Sequence, residues 1–381
     1  MDFSLTEDQK MLKAMVRDFA TKELEPIAAQ IDETEEYPAE QVRKIANLGL
    51  MGLTIPEEYE GSGKGRVDFC IAVEELARAS AAASSYFRIS LSLAIPPIRM
   101  YGTDEQKRRF LIPHARGEKL ACFALTEAGA GSDPAALETT ATKRGDGYVL
   151  NGTKLFISIG AEAEIIVVFA TIDKTLRHRG ITAFIVEKGT PGFSVGKHEK
   201  KLGFHGLSAA ELVFEDCFVP LENRLGEEGQ GFRIALEALD ESRITVGAEA
   251  VGISQAAFDA ALSYAKQRQQ FGQPIANFQA IQWMLADMAT QIEAARQLTY
   301  RAAWLQDQGL PYIKESAMAK LFASEVSSFV TNKAIQIHGG YGYTRDYPLE
   351  RYLRDAKLTE IYEGTSEMMR MTIARRLIGE D

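Results

Sequence analysis

Cysteine is scarce in this sequence, and its spacing fits no metal site. Only Cys70, Cys122 and Cys217 occur in 381 residues. They are widely separated, and no Cys-x-x-Cys or Cys/His cluster of the kind that binds zinc is present. We therefore predict no metal centre and no disulfide framework. The three thiols are expected to be small buried hydrophobic groups in a reducing compartment.

Long apolar runs and targeting signals are absent as well. Apolar runs such as residues 165–170 are far shorter than the roughly 18 residues that a bilayer crossing needs. The first ten residues, MDFSLTEDQK, are acidic and polar, whereas signal and transit peptides are basic. We therefore expect no membrane span and a cytoplasmic location.

Basic residues are outnumbered by acidic ones. The 43 lysines and arginines against 53 aspartates and glutamates give a formal net charge of −10. A surface of this charge does not attract polyanions, so nucleic acid is not expected as a partner. With 46% hydrophobic and 25% charged residues, the composition is that of a globular enzyme with two or three domains.

The first 120 residues are predicted to be helical. Thr6 is placed to cap a helix with Gln9 three residues later, and apolar residues follow at helical spacing. Further helices are expected over residues 39–48, 68–82 and 85–95.

The middle of the chain changes to short β-branched and aromatic runs, which predict strands. Asp146-Gly147 and Asn151-Gly152 are the clearest turn dipeptides. The predicted strands cover residues 148–150, 155–158, 165–171, 181–186 and 211–218.

Helical periodicity returns in the last third, with long amphipathic stretches over residues 232–268, 278–308 and 313–337. Strands between two helical regions predict an α+β fold with three domains. We place their boundaries at residues 1–120, 121–227 and 228–381.

Three glycine-containing segments are candidates for ligand binding. Residues 125–133 (LTEAGAGSD) offer backbone N–H groups and short hydroxyl side chains, but they lack the GxGxxG spacing of a dinucleotide fold. Residues 336–343 let the backbone approach a ligand closely. In residues 361–367, Glu363 immediately precedes a glycine and two helix-capping residues.

Taken in chain order, these and four further segments resemble the motifs of the acyl-CoA dehydrogenase family over nearly the whole length. The matches are residues 125–133 (TEPGAGSD in the family), 151–158 (NGxKxWIT), 211–220 (ELVFEDVxVP), 268–272 (RxxFG), 336–342 (QxxGGxG), 354–357 (RDAK) and 361–366 (IYEGTS).

The resemblance implies both a fold and an activity. The expected fold has an N-terminal helical domain, a middle β-barrel or sandwich domain and a C-terminal four-helix bundle. The expected reaction is the FAD-dependent α,β-dehydrogenation of an acyl-CoA thioester, with electrons passing to an electron-transferring flavoprotein. A homotetramer built as a dimer of dimers is the expected assembly.

The resemblance also implies the catalytic base. Glu363 matches the carboxylate that removes the α-proton, and its backbone N–H matches a donor to the thioester carbonyl. Some family members carry the base on the helix after the β domain instead, at the position of Ser242, which cannot serve. Glu241 is adjacent, but one residue turns a helical side chain by about 100°.

For the cofactor and substrate, the resemblance assigns further contacts. Asp240 and Arg243 match contacts to coenzyme A, Ser132 matches a pantetheine contact, and Tyr362 and Gly364 lie beside the acyl group. The FAD contacts on one subunit are Phe123, Leu125, Thr126, Ser132, Phe156, Ser158, Thr365 and Glu367. Those from a neighbouring subunit are Arg268, Phe271, Gln279, Gln336, Gly339 and Gly340.

Arg88 departs from the family pattern and allows two interpretations. It lies in a predicted helix that in this family lines the acyl pocket, one turn after the pocket arginine of the glutaryl-CoA branch. It therefore pairs with an anionic acyl terminus, or it is a surface arginine or a structural ion pair.

Three alternatives to the main function also stay open. They are a dehydrogenase of a dicarboxylyl or other polar acyl-CoA, a flavin enzyme that uses oxygen or runs in the enoyl-CoA-reducing direction, and a non-catalytic flavin-binding scaffold.

Overall fold

The N-terminal region is helical in the computed structural model of the chain, which describes residues 4–379. Its helices are α1 (Glu7–Phe19), α2 (Ala28–Thr34), α3 (Ala39–Asn47), α4 (Arg66–Ala79), α5 (Ala81–Ile89), α6 (Ile95–Tyr101) and α7 (Asp104–Ala115). The predicted start of α1 is confirmed, because Thr6 and Gln9 form a reciprocal capping box.

The single helix predicted over residues 68–82 is wrong at its end. Ser80 leaves the helical conformation, and its side chain caps α5 by accepting a hydrogen bond from the backbone of Ala83 at 3.3 Å. A π-helical turn over Ser90–Ala94 then connects α5 to α6. Every residue of α5 is buried, so any polar side chain on this helix must find its partners inside the protein.

The middle region forms one sheet with strand order β6-β7-β3-β2-β4-β5-β8, and β1 pairs in parallel with β4. Four of its eight strands, β1, β2, β6 and β8, fall outside the predicted strands. The strands are β1 (Ala121–Ala124), β2 (Thr140–Arg144), β3 (Gly147–Ser158), β4 (Ile165–Thr171), β5 (Ile181–Glu187), β6 (Phe193–His198), β7 (Ala209–Pro220) and β8 (Arg224–Leu225).

The turn predicted at Asn151-Gly152 is wrong, since both residues lie inside β3. The pairing of β3 with β7 shifts register there, which marks a bulge. Gly152 has φ +151°, and a Cβ on it would lie 2.5 Å from Oγ1 of Thr139. Asn151 accepts a hydrogen bond from the backbone of Asp216 at 2.8 Å. The dipeptide therefore forms a bulge within β3 that packs closely against Thr139, and the chain does not reverse there.

The C-terminal region is built around a central helix of 37 residues, α8 (Gly231–Gln267), most of whose first 27 residues are buried. The other elements are a short hairpin, β9 (Gln269–Gln270) and β10 (Gln273–Pro274), and the helices α9 (Gln279–Asp307), α10 (Ile313–His338), α11 (Leu349–Thr359) and α12 (Ser366–Ile378). The helical, sheet and helical order confirms the α+β fold, whereas the exact domain boundaries stay a prediction.

Two expectations about the whole chain can be compared with the described residues. The three cysteines are free and buried, as predicted. Over residues 4–379, no helix combines the length and apolar character needed to cross a membrane.

Candidate active site

Glu363 lies in the tight connection between α11 and α12. Its backbone φ is +55°, a value that a residue with a side chain adopts at a cost. Gly364, which has no such cost, follows with φ +102°. Thr365 ends this connection by capping α12. The sharp path turns the Glu363 side chain into the protein, where it is only 4% exposed.

Two cations hold this strained backbone in place. Arg243 on α8 donates through Nε to the Glu363 carbonyl at 3.2 Å, and Lys320 on α10 donates through Nζ to the Gly364 carbonyl at 2.6 Å. Burial lowers the pKa of Lys320 to about 8, although the nearby Glu363 carboxylate opposes that change. Because cations from two helices bind consecutive carbonyls, the carboxylate position is fixed from the main chain.

The Glu363 carboxylate contacts Arg88 on α5. Its Oε1 accepts from Nη1 of Arg88 at 2.8 Å, while Oε2 is buried without a hydrogen-bond partner. Arg88 is 0% exposed, so the surface interpretation of this residue is wrong. Its guanidinium is engaged in ion pairs inside the protein, with Glu363 on one side and Glu249 on the other.

Glu249, on α8, is the second carboxylate beside Arg88. Its Oε2 lies 3.1 Å from Nε of Arg88, and its Oε1 accepts from the Ser85 hydroxyl at 2.6 Å. The Tyr362 hydroxyl also donates to Glu249, and the Arg88 guanidinium lies 5.0 Å from the centre of the Tyr362 ring. Burial alone would lower the pKa of Arg88, but the carboxylates, led by Glu249, raise it, so the guanidinium is charged.

Glu241, the alternative base, is occupied elsewhere. Both of its carboxylate oxygens accept hydrogen bonds, from Arg66 at 2.7 Å and from Arg99 at 2.9 Å. Ser242, at the family's alternative base position, pairs with the hydroxyl of Ser92 at 2.9 Å. This arrangement supports Glu363 over Glu241.

The predicted flavin loop, residues 125–133, is anchored by a buried ion pair that the sequence analysis missed. Lys154 on β3 donates to Glu127 at 2.6 Å and to the Leu125 carbonyl at 3.2 Å. Glu127 also accepts from the backbone of Thr139 at 3.0 Å. Burial would raise the pKa of Glu127, but Lys154 outweighs it and the pKa is lowered. The available signal was the lysine of the 151–158 motif, directly before a predicted strand.

The predicted contacts to the flavin ring gather around this loop. The backbone of Leu155 donates to the Thr126 carbonyl at 2.9 Å, so β3 and the loop are joined. Phe156 is 61% exposed at φ +57°, and Ser158 is half-buried at the end of the same strand. The space where a Cβ would stand on Gly129 is open. An exposed aromatic ring beside open backbone fits a flat polar cofactor.

A second predicted set lies along a groove of about 490 Å³. Arg268, Gly339 and Gly340 line it, and the Arg268 guanidinium stacks on the Tyr341 ring at 5.6 Å. Phe271, at the tip of the β9–β10 hairpin, is 92% exposed. A cation beside uncovered glycine backbone fits a pyrophosphate.

This groove is distant from Glu363 along the same chain. Arg243 and Arg268 are 25 positions apart, on α8 and at its C-terminal cap, which is about 37 Å at the rise of an α-helix. The groove is therefore far from Glu363 of the same chain, as expected if a neighbouring subunit supplies it.

Asp240 and Arg243, predicted to contact coenzyme A, are paired with each other. Arg243 also holds the Glu363 carbonyl, a role that the sequence analysis did not predict. The exposed positions of Ser132, Gln279, Gln336 and Glu367 leave them accessible to ligands, and their roles stay predictions.

Comparison with known proteins agrees with this geometry. Sequence models for the N-terminal, middle and C-terminal domains of acyl-CoA dehydrogenase match residues 6–118, 122–217 and 229–378. The acryloyl-CoA reductase (NADH) of Anaerotignum propionicum is 54% identical, over 99% of this chain and 96% of that protein. The short-chain specific acyl-CoA dehydrogenase of Clostridium acetobutylicum is 49% identical, over 99% of this chain and 100% of that protein.

A solved structure shows the same fold. It comes from a study of the electron transferring flavoprotein of Acidaminococcus fermentans and flavin-based electron bifurcation. It is 50% identical in sequence with a TM-score of 0.98, and the match covers 99% of this chain and 100% of that chain. The matches to the sequence models, the sequence identities and the shared fold together show that this chain belongs to the acyl-CoA dehydrogenase family.

Proposed function

We propose that the protein is a FAD-dependent acyl-CoA dehydrogenase that converts a short-chain acyl-CoA to its trans-2-enoyl-CoA. The carrying observation is the Glu363 carboxylate, which is buried, fixed through its backbone and free of hydrogen bonds at Oε2. A carboxylate oxygen that has no hydrogen-bond partner in a desolvated site is suited to take the α-proton of a thioester. The loop of residues 125–133, with Phe156 and Ser158, would hold FAD, which would supply the acceptor for the β-hydride, and an electron-transferring flavoprotein would take the electrons.

The protein's own groups have separate tasks in this reaction. Glu363 removes the α-proton, and its backbone N–H donates to the thioester carbonyl, which gains negative charge as the proton leaves. Arg243 and Lys320 hold the two carbonyls of this turn, so the base and the N–H donor stay in register. The Lys154–Glu127 pair holds the loop that supports the flavin.

We infer a short and uncharged acyl group as the preferred substrate. Glu249 already lies against the Arg88 guanidinium, and Glu363 lies on its other side. A third carboxylate, from a dicarboxylyl substrate, would add negative charge to a buried cluster that already carries an excess of one. The likeness to a short-chain specific relative supports the same size class.

Catalysis in the opposite direction is the second candidate function. The relative that is 54% identical is an acryloyl-CoA reductase (NADH). The same site would serve both directions, because a protonated Glu363 can return its proton to the α-carbon, and a reduced flavin, when bound, would supply the hydride for the β-carbon. The redox partner decides which direction dominates.

We also propose a homotetramer, a dimer of dimers, in which each FAD lies between two chains. The separation of about 37 Å between Arg243 and Arg268 along α8 supports it, as does the exposed Phe271 ring. The free, buried cysteines support a cytoplasmic location.

Anaerobic titration of the purified holoprotein tests the function. We expect propionyl-CoA and butyryl-CoA to bleach the flavin, with octanoyl-CoA and glutaryl-CoA much slower, and an electron-transferring flavoprotein to restore the colour. Acryloyl-CoA added to the reduced enzyme should reoxidise it if the reductive direction operates. A yellow protein that no ester bleaches and no enoyl-CoA reoxidises would contradict the proposal and indicate a scaffold.

A further inference from the structure

The cluster around Glu363 contains a cation, Arg88, that has no task in the proposed reaction. Arg88 reaches the base from α5, and it is completely buried. A buried guanidinium is costly unless carboxylates surround it. Here the compensating groups come from two other elements, Glu249 on α8 and Glu363 in the α11–α12 connection.

The two carboxylates differ in how firmly they are held. Glu249 accepts from the Ser85 hydroxyl at 2.6 Å and from the Tyr362 hydroxyl. Glu363 keeps Oε2 without any hydrogen bond. Since Tyr362 is also the residue before Glu363 in the chain, the contacts close into a ring that fixes Arg88 beside the base.

We propose that Arg88 and Glu249 act as a pair of opposed positioning residues for Glu363, the first favouring its carboxylate form and the second favouring its protonated form. The proposal rests on the proposed function, in which Glu363 takes the α-proton. In the resting site one cation faces two carboxylates. After proton uptake by Glu363, one cation faces one carboxylate, so the buried charges balance.

The opposed roles lead to opposite effects. Without Arg88, the repulsion of Glu249 on Glu363 is no longer offset by this arginine, and Glu363 takes up a proton more readily. Without Glu249, the whole attraction of Arg88 acts on Glu363, which then takes up a proton less readily.

Other charged and polar groups lie around Glu363, and none of them is substituted in these variants. Arg243 on α8 and Lys320 on α10 bind the backbone carbonyls of the turn. Glu360 follows the end of α11, and the Tyr362 hydroxyl faces Glu249. Because they are common to every variant, they cannot produce shifts of opposite sign.

The experiment follows the protonation of Glu363 itself. An infrared pH titration of the holoenzyme records the carbonyl band of the protonated carboxyl, and Glu363→Gln identifies that band by removing it. Arg88→Gln should move its appearance to higher pH by about one unit, and Glu249→Gln should move it to lower pH by a similar amount. Arg88→Lys keeps a cation and should restore most of the original midpoint.

Activity gives a second reading. In Arg88→Gln, the rate of flavin bleaching by butyryl-CoA on the acid side of its pH profile should fall about tenfold, which is the equivalent of one pH unit. In Glu249→Gln the acid limb should extend to lower pH. The double variant Arg88→Gln/Glu249→Gln removes one positive and one negative charge, so the net charge of the cluster is unchanged. It replaces a single variant that folds poorly, and its infrared midpoint should return close to the original one.

Arg66→Gln and Glu241→Gln are matched controls, since they break another buried ion pair, between α4 and α8 and away from Glu363. They should leave the infrared midpoint unchanged. Shifts of the same sign in Arg88→Gln and Glu249→Gln, or no shift in folded, FAD-loaded variants, would overturn the proposal. A preference for glutaryl-CoA that Arg88→Gln abolishes would also overturn it, because Arg88 would then be a substrate receptor. If no ester bleaches the wild type, the proposed function fails while the infrared titration still decides this inference.

Discussion

Helix α8 carries two buried glutamates, Glu241 and Glu249. Glu241 belongs to an ion-pair cluster away from the base, whereas Glu249 belongs to the cluster that contains Glu363. Glu241 and Glu249 are eight positions apart, about 12 Å along the helix, and each meets an arginine from the N-terminal domain. Glu241 binds Arg66 and Arg99 with both oxygens, and the polar atom left over is a donor, Nη1 of Arg66. Around Glu249, the cluster also contains Glu363, and its leftover atoms include an acceptor, Oε2 of that residue.

The comparison shows that burial and ion pairing do not by themselves identify a base. Both clusters are buried and charged, yet the Glu241 cluster has no carboxylate oxygen to spare. A base needs a carboxylate oxygen that no other group occupies, and among these three glutamates only Glu363 has an oxygen without a hydrogen bond. Breaking each cluster separately should therefore give different losses.

The largest expected effect is that of Glu363→Gln. Because the amide cannot take a proton, the rate of flavin reduction by butyryl-CoA should fall at least about 100-fold while FAD stays bound. Anaerobic stopped-flow absorbance measures it. A variant that reduces its flavin within about threefold of the wild type would place the base elsewhere.

Glu241→Gln should instead lower stability. It leaves Arg66 buried without its carboxylate, at a cost of about 3 kcal/mol in the free energy of unfolding, with a reduction rate within about twofold of the wild type. Urea unfolding checks the first value. Unchanged stability with a large loss of rate would reverse the roles of the two clusters.

A third prediction concerns the buried pair in the sheet domain. Lys154→Met leaves Glu127 buried without its cation and removes a donor from the Leu125 carbonyl, so FAD affinity should fall about tenfold. Fluorescence titration of the apoprotein with FAD measures it. Lys143→Met, at an exposed position of β2, is the control and should bind FAD normally. Equal losses in both variants would argue against the loop anchor.

The smallest expected effect is the change of FAD affinity with pH. Burial lowers the pKa of Lys154 to about 8 from 10.5. The ammonium of Lys154 therefore loses its proton at lower pH in the folded protein than in the unfolded chain. As pH rises through about 8, Lys154 becomes neutral and its ion pair with Glu127 is lost. FAD affinity should weaken severalfold as pH rises through about 8, and Lys154→Met should show no such change. A flat wild-type profile across this range would contradict the assignment.

Local signals predicted much of the fold, and they failed where distant contacts decided it. Thr6 and Gln9 cap a helix through neighbours in the sequence, and the β-branched run of β4 forms its strand at the predicted residues. Asn151-Gly152 has the composition of a turn, but pairing with Asp216, 65 positions away, keeps it inside a strand.

The site shows the same division. The position of Glu363 was predicted from its motif. The ion pair of Arg88 with Glu249 could not be predicted in this way, because it joins α5 to α8 through two residues that are 161 positions apart. No periodicity in either helix indicates the other partner. The Lys154–Glu127 pair spans 27 positions, and both residues lie in recognised motifs, so it was within reach of sequence reasoning.

Exchange of the substrate's α-proton tests the central claim most directly. The FAD-loaded enzyme is incubated anaerobically with butyryl-CoA in D₂O, and proton NMR follows the loss of the α-proton signal. We predict rapid exchange by the wild type and by Glu241→Gln, and exchange at least about 100-fold slower in Glu363→Gln. Exchange at the wild-type rate in Glu363→Gln would contradict the assignment of Glu363 as the base.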